Sequence, residues 1–250
     1  MSVDVVDLRA FYASPLGFVA RELVGRILDR FWGPTQGLAI LGLGYATPYL
    51  AGVRENAERT LAFMPAHQGV VNWPATGLSA SALVDLTMMP LPDSCVDRVL
   101  LVHAIEAVDS PTELLQEVWR ILTPGGRIIV VAPNRRGLWA RMDTTPFGYG
   151  QPYSRSQLNR LMRDTLFSPE GWAETLYVPP LPGWAFLRAA LVWERIGSGL
   201  SLPFAGVHVV EASKQLYRPA AVRQFRRAER LAPIFTPVPE PARLAPRAST

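Results

Sequence analysis

The stretch that decides the fold lies in the middle of the chain, where residues 110–132 read SPTELLQEVWRILTPGGRIIVVA. Ser110 can cap a helix, and Glu113 stands three residues later, as in a capping box. Apolar residues at helical spacing predict a helix over 110–122, which the Pro-Gly-Gly turn ends. The apolar run 127–132 then predicts a buried strand. A helix that leads directly into a buried strand is typical of a sheet with helical crossovers.

Outward from this stretch, helix and strand patterns alternate along the chain. The central strands are apolar throughout, which indicates a mostly parallel sheet covered by helices on both faces. The fold class is therefore α/β, with a doubly wound sheet. Helices are predicted over 5–31 with a break near Ser14–Pro15, and over 48–60, 110–122, 154–166 and 184–196. Strands are predicted over 38–41, 60–64, 96–103, 127–132, 173–178 and 207–213.

The composition excludes several classes of protein. The 250 residues are 49% hydrophobic and 18% charged, which excludes disorder for most of the chain. The single Cys95 excludes an intramolecular disulfide. Asp4 and Asp7 stand where a secretory signal would carry basic residues, and the longest apolar candidate, 184–193, contains Arg188. We therefore expect a cytoplasmic protein without a membrane span.

The positive charge is concentrated at the C-terminus. The formal net charge is +4, and residues 216–250 hold seven arginines against two glutamates. Together with its prolines, this predicts a flexible tail after an N-terminal helical segment (1–35) and an α/β domain (36–215). Such a tail could meet RNA, an acidic protein or anionic lipid. The alternative is a genomic preference for arginine codons, since Lys214 is the one lysine of the sequence.

A glycine turn follows the first predicted strand, where residues 41–46 read LGLGYA. Glycines here let a ligand approach the backbone, and the following helix presents free N–H groups. The dinucleotide fingerprint would need a small residue at Thr47, and the acid or arginine expected after the second strand is missing. The turn therefore argues against a nicotinamide or flavin enzyme.

Five motifs follow one another in the middle of the chain: DLTMMPLPDS (85–94), VDRV (96–99), HAIEAVD (103–109), EVWRILTPGGR (117–127) and PN (133–134). In this order they resemble the class I S-adenosylmethionine-dependent methyltransferases of the type 11 branch. The most specific is the helix that ends in L-x-P-G-G, and the resemblance runs from about residue 37 to 134, more loosely to 213. It implies a Rossmann-like fold with an antiparallel last strand near 207–213, and S-adenosylmethionine as cofactor.

The resemblance also implies which residues hold the cofactor. In the family, a glycine turn wraps the methionine part, an acid accepts a hydrogen bond from the adenine amino group, and the next N–H faces the adenine ring. A residue at a strand tip lines the methyl-transfer side, and an N-terminal tyrosine closes the pocket. In that order, the matching residues are Gly42, Leu43 and Gly44, then Asp85, Leu86, His103 and Tyr12.

Two positions depart from the family pattern. Ile40 stands where an acid normally precedes the glycine turn, and Met64 stands, with its neighbours, where the family has the acid that binds the ribose. Side chains that could replace the ribose acid follow at Gln68, Asn72 and His67. Trp73 could stack on adenine, or it packs in the core. Two alternatives follow: these side chains replace the missing acid, or the cofactor site has been lost.

The loops beyond the fourth predicted strand indicate an acceptor side. Arg135 and Arg136 could hold an anionic substrate, or they are solvated loop residues. Tyr149 and Tyr153 are candidates for substrate contacts, or they pack locally. His103 could serve as a base or be structural. The remaining histidines have no partners at metal-ligand spacing, so no metal site is predicted.

Two functions follow as hypotheses. The first is S-adenosylmethionine-dependent methyl transfer to an acceptor that the sequence does not identify. The second is a non-catalytic relative that keeps the fold as a binding or regulatory protein and has lost tight cofactor binding.

Overall fold

Seven strands and six α-helices form the part of the chain that the computed structural model describes, residues 3–181, 189–199 and 204–217. The helices are α1 (Val5–Ala13), α2 (Pro15–Trp32), α3 (Thr47–Arg54), α4 (Pro111–Ile121), α5 (Arg155–Asp164) and α6 (Ala190–Gly199). The strands are β1 (Ala39–Gly44), β2 (Arg59–Pro65), β3 (Ser81–Val84), β4 (Val96–Val102), β5 (Leu122–Pro133), β6 (Phe167–Thr175) and β7 (Val207–Lys214).

The strands form one sheet in the order β3-β2-β1-β4-β5-β7-β6. Strands β1 to β5 pair in parallel, and β7 runs antiparallel to both β5 and β6. This confirms the doubly wound α/β class and the antiparallel last strand. The strand order reverses between β1 and β4, and in open α/β sheets ligands bind at that point, beyond the carboxyl ends of the strands.

Two apolar cores cover the two faces of the sheet, because successive strand residues point to opposite sides. Ile40 and Leu100 pack with residues of α1, α2 and α3 on one face. Leu41 and Leu101 pack with residues of α4 and α5 on the other face. The central strands are therefore buried on both sides, as their continuous apolar runs predict.

The two edge strands are where the sequence prediction was wrong. Strand β3 was not predicted, because it has only four residues and three of them are not fully buried. Strand β6 was predicted over 173–178 and lies at 167–175 instead. Its first half contains Pro169 and Gly171, and the register with β7 shifts between these two residues. Edge strands tolerate such residues because one side of the strand carries no ladder.

Helix ends account for the other differences. The helix predicted over 48–60 ends at Arg54, and the next strand begins at 59. The capping box predicted at Ser110 and Glu113 is wrong, because the Ser110 side chain makes no capping hydrogen bond. A capping box forms instead at the start of α5. Of the helix predicted over 184–196, residues 184–188 lie outside the described part, and α6 begins at Ala190.

The C-terminal tail predicted from residue 216 lies almost entirely outside the described residues, which stop at 217. Among the helices that the structure describes, none combines the length and the apolar character that crossing a bilayer would require.

We expect the Ser154→Ala variant to lower the free energy of unfolding by about 1 kcal/mol, the usual value of a lost N-cap. The Ser154 hydroxyl accepts from Gln157 N at 3.2 Å, and Gln157 Oε1 accepts from Ser154 N at 2.9 Å. Urea denaturation measures the change. The matched control is Ser110→Ala, which removes no capping bond. Equal losses in the two variants would contradict this assignment of the caps.

Candidate functional site

A cleft of about 870 Å³ lies beyond the carboxyl ends of β2, β3 and β4. Its walls are the last residues of β2 and β3, the loop 106–110 after β4, and residues 150–151. The cleft is therefore on the side of the sheet where the strand order reverses and where a doubly wound fold binds ligands.

Asp85 lies in this cleft directly after β3, with its side chain exposed. Its Oδ1 accepts hydrogen bonds from Thr87 N at 2.8 Å and from Thr87 Oγ1 at 2.7 Å. Both bonds lower the pKa of Asp85, and the bond from the Thr87 hydroxyl has the larger effect. The carboxylate is therefore charged at neutral pH. Leu86 is buried beside it and also lines the cleft. The pair offers a fixed charged acceptor next to an apolar wall.

A small recess of about 20 Å³ lies behind the cleft. Glu106, Ala107 and Gly150 line both spaces, and Gln68, His103 and Tyr149 line the recess alone. The side chains of Glu106 and Gln68 are buried, with relative exposures of 5% and 3%. The site thus has an open outer part at Asp85 and a closed inner part at Glu106.

A chain of buried polar contacts leads from α1 and α3 to Glu106. Tyr49 donates its hydroxyl proton to the Tyr12 oxygen at 3.3 Å, and Tyr12 Oη lies 3.0 Å from His103 Nε2. His103 Nδ1 lies 3.3 Å from Glu106 Oε1. Because Tyr12 accepts from Tyr49, its own proton is free to point at Nε2, and His103 then carries its proton on the nitrogen that faces Glu106.

Aromatic rings surround this chain of contacts. Tyr12 stacks on Tyr45 at 5.5 Å between ring centroids, and His103 lies 4.7 Å from the ring of Phe147. Burial raises the pKa of Tyr12 well above its ordinary value and also raises that of Tyr49. Both phenols are therefore neutral at physiological pH, and the inner part of the site is tightly packed.

The glycine turn lies under this packed region and does not line the cleft. A Cβ on Gly42 would stand 2.6 Å from Leu50 Cδ1 and 2.7 Å from Ala46 Cβ. Gly44 has a φ of +74°, and a Cβ there would overlap the Val102 carbonyl oxygen and lie 2.8 Å from that of His103. Leu43 is fully buried. Both glycines are therefore required by the close packing of the chain's own segments.

Comparison with known proteins agrees with this arrangement. A family model described as a methyltransferase domain matches residues 39–130. A probable S-adenosylmethionine-dependent methyltransferase of Mycolicibacterium smegmatis is 32% identical over 88 residues, 34% of each chain. The structure of an S-adenosylmethionine-dependent methyltransferase from Thermotoga maritima superimposes with a TM-score of 0.58 at 18% identity, covering 84% of this chain and 96% of that one. Residues 39–130 therefore match the methyltransferase domain family, and the fold is that of the class I methyltransferases.

Several curated relatives carry a different name. The L-cysteine:1D-myo-inositol 2-amino-2-deoxy-alpha-D-glucopyranoside ligase of Mycobacterium sp. strain KMS is 24% identical over 228 residues. The match covers 82% of this chain and 51% of the ligase. The methyltransferase-like chain thus spans about half the length of that relative.

In this methyltransferase domain, the two positions without acids are core positions. Ile40 is buried in the cluster that joins the sheet to the first three helices. Met64 is fully buried, and its sulfur accepts the N–H of Val71 at 3.4 Å. Neither residue lines the cleft. Their apolar side chains therefore contribute to packing.

The segment after β2 places its polar residues in different environments. His67 is exposed in the cleft, whereas Gln68 is buried in the recess and donates its amide to the His103 carbonyl at 3.4 Å. Asn72 is exposed and lies outside the cleft lining. Trp73 packs against the core, with the Arg54 guanidinium 5.7 Å from its ring centroid. Of these, only His67 borders the outer cleft directly.

The four residues predicted on the acceptor side of the methyltransferase do not form one cluster. Tyr149 lines the recess, and Tyr153 is buried with its hydroxyl donating to the Ile105 carbonyl at 3.2 Å. Burial raises the pKa of Tyr153 to about 12. Arg135 and Arg136 are exposed, and Arg136 lines a separate groove of about 570 Å³.

Sequence reasoning missed Glu106 as a site residue. The available signal was its position three residues after His103, because residues three apart in a turn lie on the same side. Among the described residues, no three His, Cys, Asp or Glu side chains gather to hold a metal ion.

We expect Gly44→Ala to lower the free energy of unfolding by about 2–4 kcal/mol, because the new methyl group meets the backbone of β4 at a left-handed φ. The matched control is Gly52→Ala on α3, where a Cβ meets no atom within 4 Å. That variant should gain up to about 1 kcal/mol from helix propensity. Thermal and urea denaturation measure both. A Gly44→Ala variant as stable as the wild type would contradict the close approach.

Proposed function

We propose that the chain binds S-adenosylmethionine and transfers its methyl group to an acceptor molecule. The observation that supports this most is the position of Asp85, a charged acceptor at the tip of β3 in a cleft of about 870 Å³. The family match over residues 39–130 points to the same chemistry. The acceptor itself is left open.

The residues present suit such a cofactor. Asp85 would accept a hydrogen bond from the adenine amino group, and the backbone N–H of Leu86 would face the adenine ring. His67, exposed in the same cleft, would lie near the ribose. Tyr12 and His103 would close the site on the methyl-transfer side. The glycine turn would act indirectly, by holding the end of β4 in place.

The cofactor would supply an activated methyl group on a positively charged sulfur. The protein's part in such a transfer is mainly proximity and orientation. As a base, His103 would have to take the acceptor's proton at Nε2 in place of the proton of the Tyr12 hydroxyl, because its Nδ1 carries a proton that faces Glu106 at 3.3 Å. Of the four acceptor-side candidates, Tyr149 lines the recess, and Tyr153 donates its hydroxyl proton to the carbonyl of Ile105, next to Glu106. Arg135 and Arg136 line neither the cleft nor the recess.

A second candidate function is a non-catalytic binding or regulatory role. The observation that favours it is that aromatic side chains pack the space around the glycine turn, with Tyr45 stacked on Tyr12. The apolar Ile40 and Met64 at the two acidic positions of the family favour it as well. In this case the cleft would no longer bind the cofactor tightly.

We also infer that the protein acts in the cytoplasm and that residues 216–250 bind RNA or an acidic protein through their seven arginines.

Truncation after Tyr217 keeps every described contact. We expect it to change the melting temperature by less than about 2 °C, the size of a surface effect. A large fall would show that the tail is part of the domain.

Calorimetric titration of the full chain, stripped of bound ligand, with S-adenosylmethionine and S-adenosylhomocysteine separates the two candidate functions. Micromolar dissociation constants are expected from the enzyme hypothesis. An absence of binding up to millimolar cofactor would favour the non-catalytic role and would reject the proposed methyl transfer.

We expect Asp85→Ala to weaken S-adenosylmethionine binding about tenfold or more, because it removes a charge-assisted hydrogen bond. The melting temperature should change little, since the side chain is exposed. Asp164→Ala, at the exposed end of α5, removes the same charge elsewhere and should leave the dissociation constant unchanged. Unchanged binding in Asp85→Ala would place the adenine outside this cleft.

A further inference from the structure

The recess behind the cleft contains hydrogen-bond acceptors that the protein does not satisfy. Oε2 of Glu106 and Oε1 of Gln68 are buried and have no hydrogen-bond partner in the described part of the chain, and Oε1 of Glu106 faces only the imidazole of His103, at 3.3 Å. Buried polar atoms without partners are rare in native proteins because their desolvation is not compensated. Two oxygens without a partner and a third with one long contact, all beside one cavity, therefore call for a donor from outside the chain.

The size of the recess limits what that donor can be. Its volume of about 20 Å³ suffices for one group of the size of a water molecule. A primary ammonium group is of that size and carries three N–H donors. A cation next to a carboxyl group also favours its charged form. The number, size and charge of the donor thus agree with an ammonium group.

The recess is also joined to the cleft. Glu106 and Ala107 line both spaces, whereas Asp85 lies in the outer cleft alone. A ligand that lies in the cleft with its adenine amino group at Asp85 can therefore place its other end in the recess.

We infer that Glu106 and Gln68 bind the α-ammonium group of the cofactor's amino-acid end. The inference rests on the proposed function. Glu106, in the loop after β4, would then supply the carboxylate that the family has before the glycine turn, where this chain has Ile40. Both positions belong to neighbouring strands of the sheet, since β1 and β4 are adjacent.

Glu106, and not His103, would bind the ammonium group. Its Nε2 is in contact with the Tyr12 hydroxyl, and its Nδ1 lies 3.3 Å from Oε1 of Glu106. Oε2 of Glu106 makes no hydrogen bond in the described part of the chain. The sulfonium centre of the cofactor is a poorer occupant of the recess, because it has no N–H to donate.

Calorimetric titration of Glu106→Gln with three ligands tests the inference. S-adenosylmethionine and S-adenosylhomocysteine both carry the ammonium group, and methylthioadenosine lacks the whole amino-acid end. We expect Glu106→Gln to weaken the first two equally, by about ten- to a hundred-fold, and to leave methylthioadenosine unchanged. The matched control, Glu58→Gln, removes a charge from an exposed position just before β2, at the opposite edge of the sheet, and should change none of the three.

Each other outcome overturns the inference in a distinct way. Equal affinities of Glu106→Gln and wild type would mean that the recess holds only a water molecule. Loss confined to S-adenosylmethionine would place the sulfonium, and not the ammonium, at Glu106. Equal loss for all three ligands would indicate a general disturbance of the cleft. Absence of wild-type binding would reject the proposed function as well.

A second variant keeps the test valid if Glu106→Gln does not fold, which its melting curve will show. Gln68→Met keeps the size of the side chain and removes one of the three acceptors. We expect it to weaken the two amino-acid-bearing ligands about three- to tenfold, with methylthioadenosine again unchanged. Unchanged affinities in this variant would also contradict the inference.

Discussion

The close approach of the turn after β1 to the end of β4 is the constraint on which the site depends. Tyr45 N donates to the Val102 carbonyl at 2.8 Å, and Gly44 leaves no room for a side chain against the same carbonyl. This contact brings His103 and the loop after it next to the tyrosines of α1 and α3. Without it, neither the packed inner region nor the recess at Glu106 would form.

The polar groups that this packing buries are matched unevenly. Tyr12 and His103 have partners in one chain of contacts, whereas the carboxyl group at the end of that chain has only the imidazole near it. His103 also has a φ of +51°, a conformation that a residue with a side chain seldom adopts. Local strain and unsatisfied polar atoms at one place are typical of functional sites, where stability is given up for binding.

Strong local signals explain how much the sequence could predict. The apolar runs of β1, β4 and β5 and the Pro-Gly-Gly stop predicted the doubly wound sheet. The resemblance assigned Asp85 to the adenine, although the strand that Asp85 follows was not predicted. The edge strands were missed or misplaced because half-exposed residues leave no apolar pattern. Gln68 and Glu106 could not be paired from the sequence, since 38 positions separate them and only the packing of α1 and the loop after β4 brings them together. The role of Met64 in the core likewise depends on which face of β2 it occupies.

The loop that carries Tyr149 is attached to the backbone of the residue that forms the recess. Gln151 N donates to the Glu106 carbonyl at 2.9 Å, and Gly150, at a φ of +76°, has no space for a side chain against the same peptide. A molecule that displaces residues 149–151 would act on the peptide of Glu106 through this hydrogen bond. Any coupling between the acceptor side and the cleft that arises in this way would be reciprocal, because each ligand would change the affinity of the other by the same factor.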